Sequence, residues 1–82
     1  MNMWDVRVEG LDLGDELRLM LTMGAPNIEV TTVWRAGITA TLQADTAVDA
    51  AIEILTFLRE AYPATGPMPQ WPSIAVYAAR SA

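Results

Sequence analysis

The side chains of this 82-residue sequence that could carry chemistry are ten carboxylates, five guanidiniums, two tyrosines and the serines Ser73 and Ser81; there is no Cys, His or Lys. That inventory removes disulfides, zinc–thiolate sites and thiol nucleophiles. It also removes the commonest general base, Schiff-base chemistry and the phosphate-loop lysine. Among the carboxylates, Asp12, Asp15 and Glu16 match no metal loop of the D-x-[DN]-x-[DN]-G type. Acids at such positions belong in the first turn of a helix, where the macrodipole favours them. Glu53 and Glu60 fall on the polar stripe of a second helix rather than in a desolvating cleft, which is not how an acid–base pair is built. Ser73 and Ser81 lack an activating base. The expectation is a non-enzymatic protein with no cofactor or metal.

The charge pattern narrows the partners. The net charge is −5, and Arg7, Arg18, Arg35, Arg59 and Arg80 are scattered, so no basic stripe exists to release counterions from a phosphate backbone. Ten acids spread over the whole chain do not make the dense array of a nucleic-acid mimic either. With 52% hydrophobic and 18% charged residues the chain is globular, and no apolar run approaches the roughly 18–20 residues of a membrane span. The start, M-N-M-W-D, has neither the basic region nor the apolar core of a signal peptide, so a soluble cytoplasmic protein is expected. A single domain of this size buries only about 60–65% of its unfolded surface, which makes oligomerisation a natural source of added stability. Arg used to the exclusion of Lys, beside abundant Ala, is the association expected of a GC-rich bacterium or one of its phages.

Elements that could position these groups follow from periodicity. Residues 3–9, M-W-D-V-R-V-E, alternate with Trp4, Val6 and Val8 on one side and Asp5, Arg7 and Glu9 on the other, as in a strand. Leu13, Leu17, Met20 and Leu21 then follow helical spacing, with Asp12 as cap and Gly24 and Pro26 as stop, predicting a helix over 12–23. Leu17, Leu19, Leu21 and Met23 also alternate, so a strand in a β-meander with one long helix is the rival. Leu, Met, Arg and Glu without Val or Ile favour the helix.

The stretch T-V-W-R-A-G-I-T-A-T-L, within 32–42, reads as a hairpin joining strands 28–34 and 38–44. A two-residue loop would mix apolar and polar residues on both faces. A three-residue loop, Arg35 to Gly37, pairs Trp34 with Ile38, Thr32 with Ala40, Val30 with Leu42 and Ile28 with Ala44 on one apolar face. It also places Gly37 in the left-handed position such loops want. Trp34 is then core, and Thr31, Val33, Thr39 and Thr41 face outward. Helix two, 46–62, opens on Thr46-x-x-Asp49, a capping box, and stops before Pro63. Val48, Ala51, Ile52, Leu55 and Tyr62 form its apolar face, which Ala50, Ile54, Phe57, Leu58 and Ala61 extend. Residues 63–73 hold four of the five prolines and read as a long extended loop, followed by a strand over 74–80. In that loop Met68 and Trp71 either fold back over helix two or serve as an exposed anchor for a partner.

The order β-α-β-β-α-β predicts a ferredoxin-like α+β fold, a four-stranded antiparallel sheet of order 4-1-3-2 with both helices on one face. The layout is similar to that of small ligand-binding regulatory domains of the ACT type, although the Pro-Gly usual after their first strand is missing, since Gly10 follows Glu9. That similarity implies a small-molecule sensor as the alternative function, its ligand lying at a dimer seam near strand one and helix one. The leading expectation is a protein-binding accessory or regulatory protein that forms a homodimer, because its strand edges lack Lys or Pro protection. It would act through the open sheet face at Arg7, Thr31, Val33, Thr39, Thr41 and Tyr77. The simplest competing account of that face is a solvated sheet surface with Thr chosen for β-propensity.

Overall fold

A computed structural model of the chain describes residues 2–62 and 72–79. The elements are β1 (Asn2–Glu9), α1 (Asp15–Thr22), β2 (Ile28–Trp34), β3 (Gly37–Ala44), α2 (Ala47–Ala61) and β4 (Ser73–Ala78). They build one open antiparallel sheet in the order β2-β3-β1-β4, so the α+β class and the strand order agree with expectation. Met68 and Trp71 lie outside the described residues. Among the described residues no helix is long and apolar enough to cross a membrane.

Strict alternation in β1 sets the sheet. Val6 and Val8 pair with Ala40 and Ile38 of β3 on one side and with Val76 and Ile74 of β4 on the other. Burial on that face holds the register, because a one-residue slip would turn every one of these side chains to the opposite face. The face is covered by Leu17 and Leu21 of α1 and by Ala50, Ile54, Leu58 and Ala61 of α2, which join Val6, Val8, Ile38, Ala40 and Leu42 in one core.

Both helices depart from expectation in instructive ways. The segment after β1 is a helix, as preferred over the meander, but it starts at Asp15 rather than residue 12. The Leu11 and Leu13 amides donate to the Ala36 and Arg35 carbonyls of the hairpin turn, which holds residues 11–13 extended with both leucines buried. Gly14 is therefore the N-cap and Asp12 caps nothing. The helix ends as expected: Gly24 takes a left-handed φ of 68° and its amide donates to Leu21. In α2 the Thr46 hydroxyl accepts from the Asp49 amide at 3.1 Å, half of the capping box. Its buried face is the stripe Ala50, Ile54, Leu58 and Ala61, continued by buried Tyr62, whereas Val48 and Ile52 are 67% and 55% exposed. With Ala50, Ile54, Leu58 and Ala61 inward, helical spacing leaves Val48 and Ile52 on the outer side.

The hairpin also corrects the expected register. Trp34 pairs with Gly37, so the turn is the two residues Arg35 and Ala36. Near its open end Ile28 faces Leu42 and Val30 faces Ala40, but after Val30 the pairing shifts by one and Thr32 meets Thr39, Val33 meets Ile38. Thr31 is the extra residue of a β-bulge. Gly37 has no positive φ; it is needed for close approach, because a Cβ there would lie 2.0 Å from the Val8 carbonyl oxygen.

Candidate functional site

Alternation leaves Asp5, Arg7 and Glu9 of β1, Thr39, Thr41 and Gln43 of β3, and Ala75 and Tyr77 of β4 on the face away from the helices. The Cα register brings them side by side, Asp5 between Thr41 and Tyr77, and Arg7 between Thr39 and Ala75. Cross-strand neighbours at this spacing interact directly, and here they do. The Thr41 hydroxyl donates to Asp5 Oδ1 at 2.8 Å. The Thr31 hydroxyl, offered by the bulge, lies 2.7 Å from the Thr39 hydroxyl and donates to the Thr39 carbonyl at 3.1 Å.

Arg7 is the one cation of this face among the described residues. Its Nε donates to Glu9, and its guanidinium carbon lies 4.9 Å from the centroid of the Trp34 ring. A guanidinium over an indole at that distance is a cation–π contact. It places Trp34 on the open face, correcting the expectation that Trp34 is core. The bulge is the cause: shifting phase after Val30 turns Val33 toward the helices, where it lies beside Asp15, Arg18, Leu19 and Thr22, and turns Trp34 outward.

Five of the six residues expected to form the interface, Arg7, Thr31, Thr39, Thr41 and Tyr77, line one shallow depression of about 360 Å³, together with Asp5. Val33 does not belong to it. Trp34 beside Arg7 is the residue the expectation missed. The signal was present in the spacing, since the apolar positions Ile28, Val30 and Val33 change phase across the polar pair Thr31-Thr32. Tyr77 is 59% exposed and gives the depression an aromatic rim.

Elsewhere two ion pairs are seen among the described residues. Asp12 lies 3.6 Å from Arg35, and Asp15 pairs with Arg18 one helical turn away, both at exposed positions. Such pairs contribute little stability. Among the described residues no group of three or more acids is gathered as metal ligands. Tyr62 is the one buried phenol: burial pushes its hydroxyl above the ordinary value, a hydrogen bond with the Asp12 backbone opposes that shift, and the Asp12 charge adds to it. It packs at the end of α2, away from the open face. The depression presents a carboxylate, a guanidinium, three hydroxyls and a phenol on adjacent strands. Comparison with protein-family models, with curated proteins and with solved structures finds no match.

Proposed function

We propose that this is a non-enzymatic binding module of ferredoxin-like layout that engages a protein partner through the open face of its sheet. The observation that carries the reading is the depression lined by Asp5, Arg7, Thr31, Thr39, Thr41 and Tyr77. Its polar groups are ordered by one another before any partner arrives, so little side-chain entropy remains to be lost on docking. Tyr77 and the Arg7–Trp34 stack supply the aromatic and Arg character from which interface hot spots are commonly made. The net charge of −5 favours a partner surface with basic residues, which would meet Asp5, Glu9 and Glu29.

The test is capture from cells of the native host with wild type, Thr41→Arg and Tyr77→Ala, followed by titration of the purified captured protein. Both positions are on the sheet surface, so the variants keep the wild-type circular dichroism spectrum. The expected result is a saturable partner that binds wild type at least tenfold more tightly than either variant. Equal binding by all three overturns the open-face reading.

A second reading is a sensor of a small polar metabolite. The depression's volume lies within the range of small-ligand sites, and Asp5 and Arg7 present opposite charges side by side. It requires a metabolite that raises the melting temperature of wild type but not of an Arg7→Ala variant.

A further inference from the structure

The two edges of the sheet are not alike. Edge strand β2 carries a β-bulge at Thr31, an acidic side chain at Glu29 and an isolated bridge from Ala25 to Ile28, all devices that blunt an edge. Edge strand β4, S-I-A-V-Y-A, pairs without interruption with β1 from Ser73 to Ala78, and among the described residues it pairs with β1 alone. It contains no charge, no Pro and no bulge. Among the described residues nothing pairs with its outer backbone groups, which form a regular row.

Among the described residues the core thins toward that edge. Ile74 and Val76 face the helices opposite Val8 and Val6, yet remain only half-buried where their β1 and β3 counterparts are fully buried. Glu53 of α2 lines a depression with Ala25 to Glu29, so that flank of the helix looks toward β2. Ala51 and Leu55 are about half a turn round from it at 100° per residue and look toward β4. They are half-buried, and Val48 and Ile52 beyond them are exposed. Among the described residues an apolar seam therefore runs from the outer side of α2 down to the outer edge of β4.

We infer that this seam is a homodimer interface, in which β4 pairs antiparallel with β4 of a second copy and α2 packs on α2 across the two-fold axis. Charge identifies the occupant. A two-fold contact brings each residue near its own copy, which a chain of net charge −5 tolerates only where acids are absent. Among the described residues, Val48, Ala51, Ile52, Leu55 and Ser73–Ala78 contain none. The six residues of β4 give a seam about 20 Å long, and with the outer side of α2 above it the two copies together must remove about 1,000 Å² from water, the size at which specific interfaces begin. Pairing of this kind would join the two sheets into one of eight strands, with both open-face depressions on the same side. The inference stands independently of what the open face binds.

The test is sedimentation equilibrium of wild type, the Val48→Glu/Ile52→Glu double variant and Thr41→Arg, with hydrogen exchange of the β4 amides. Wild type is expected at twice the 8.9 kDa chain mass. The double variant, altered only at exposed positions, is expected at the single chain mass with an unchanged circular dichroism spectrum and β4 amides exchanging at least tenfold faster. Thr41→Arg is expected to remain dimeric. A monomeric wild type at millimolar concentration overturns the inference, as does a dimer that Thr41→Arg dissociates and the double variant leaves intact.

Discussion

Replacing Gly37 with Ala tests the structural reason for the register of the hairpin, and with it the face on which Trp34 stands. The added Cβ would lie 2.0 Å from the Val8 carbonyl oxygen and 2.9 Å from Trp34 Cζ2. Ordinary contact begins near 3.4 Å, so β1 and β3 must separate by more than an ångström at a place where strands run about 4.8 Å apart. That opening breaks one or two ladder hydrogen bonds beside the Val8–Ile38 pair, each worth about 1 kcal/mol, and disturbs the packing of both fully buried side chains. The expected loss is about 3 kcal/mol, a large share of the ~4–12 kcal/mol that stabilises a domain of this length. At ~4–8 °C per kcal/mol the melting temperature falls by about 12–24 °C. Thermal unfolding followed by circular dichroism gives the comparison, with Gly14→Ala as control, because nothing lies within 4 Å of a Cβ at Gly14. Gly37→Asn separates the two possible roles of the glycine. If a left-handed backbone were the requirement, Asn would be tolerated; the close approach makes Asn as damaging as Ala. An Ala variant melting within 2 °C of wild type, or an Asn variant much more stable than the Ala one, refutes the argument.

Further outcomes follow from the same geometry. Trp34→Ala should cost no more than about 2 kcal/mol in urea unfolding, since it loses a surface cation–π contact and partial burial, whereas Leu42→Ala at a fully buried position should cost about 2–5 kcal/mol. Thr46→Ala removes the bond to the Asp49 amide and should cost about 1 kcal/mol. The raised hydroxyl of Tyr62 means folding favours its neutral form, so that contribution is complete below the unfolded value of about 10 and is lost as pH rises through the higher folded value. Stability measured by urea unfolding from pH 8 to 11 should therefore decline less steeply at the alkaline end for Tyr62→Phe than for wild type.

Which parts of this fold were legible in the sequence depended on whether the deciding contact was local. In β1 the alternation of Val6 and Val8 with Asp5, Arg7 and Glu9 is enough, because both neighbours of that strand obey the same period. The start of α2 is equally local, being written in Thr46 and Asp49. The start of α1 is not, because Leu11 and Leu13 are held extended by carbonyls of Arg35 and Ala36, more than twenty residues away. In α2 apolar residues cover well over half of the helix surface, so periodicity alone could not choose between Val48–Ile52 and Ala50–Ile54 as the inner stripe. The open face was largely legible, since even shifts of register leave Thr39 and Thr41 outward. Val33 and Trp34 were misplaced because a bulge reverses the phase of everything beyond it.

That bulge makes one deletion informative. Removing a residue from within a strand normally turns half of its side chains to the wrong face. Removing Thr31 should not, because Val30 already faces Ala40 and Thr32 already faces Thr39, so the strand closes into an unbroken ladder with Val33 inward and Trp34 outward as before. The loss is confined to the hydroxyl shared with Thr39, about 1 kcal/mol at an exposed site, set against a more regular ladder. The Thr31 deletion is expected to melt within about 10 °C of wild type and to keep the Trp34 fluorescence contribution, while removing one side chain from the open-face depression. Deletion of Thr39 from the unbulged partner strand has no such compensation and should unfold the domain. If the two deletions prove equally damaging, Thr31 is not the extra residue, and the assignment of Trp34 to the open face loses its structural basis.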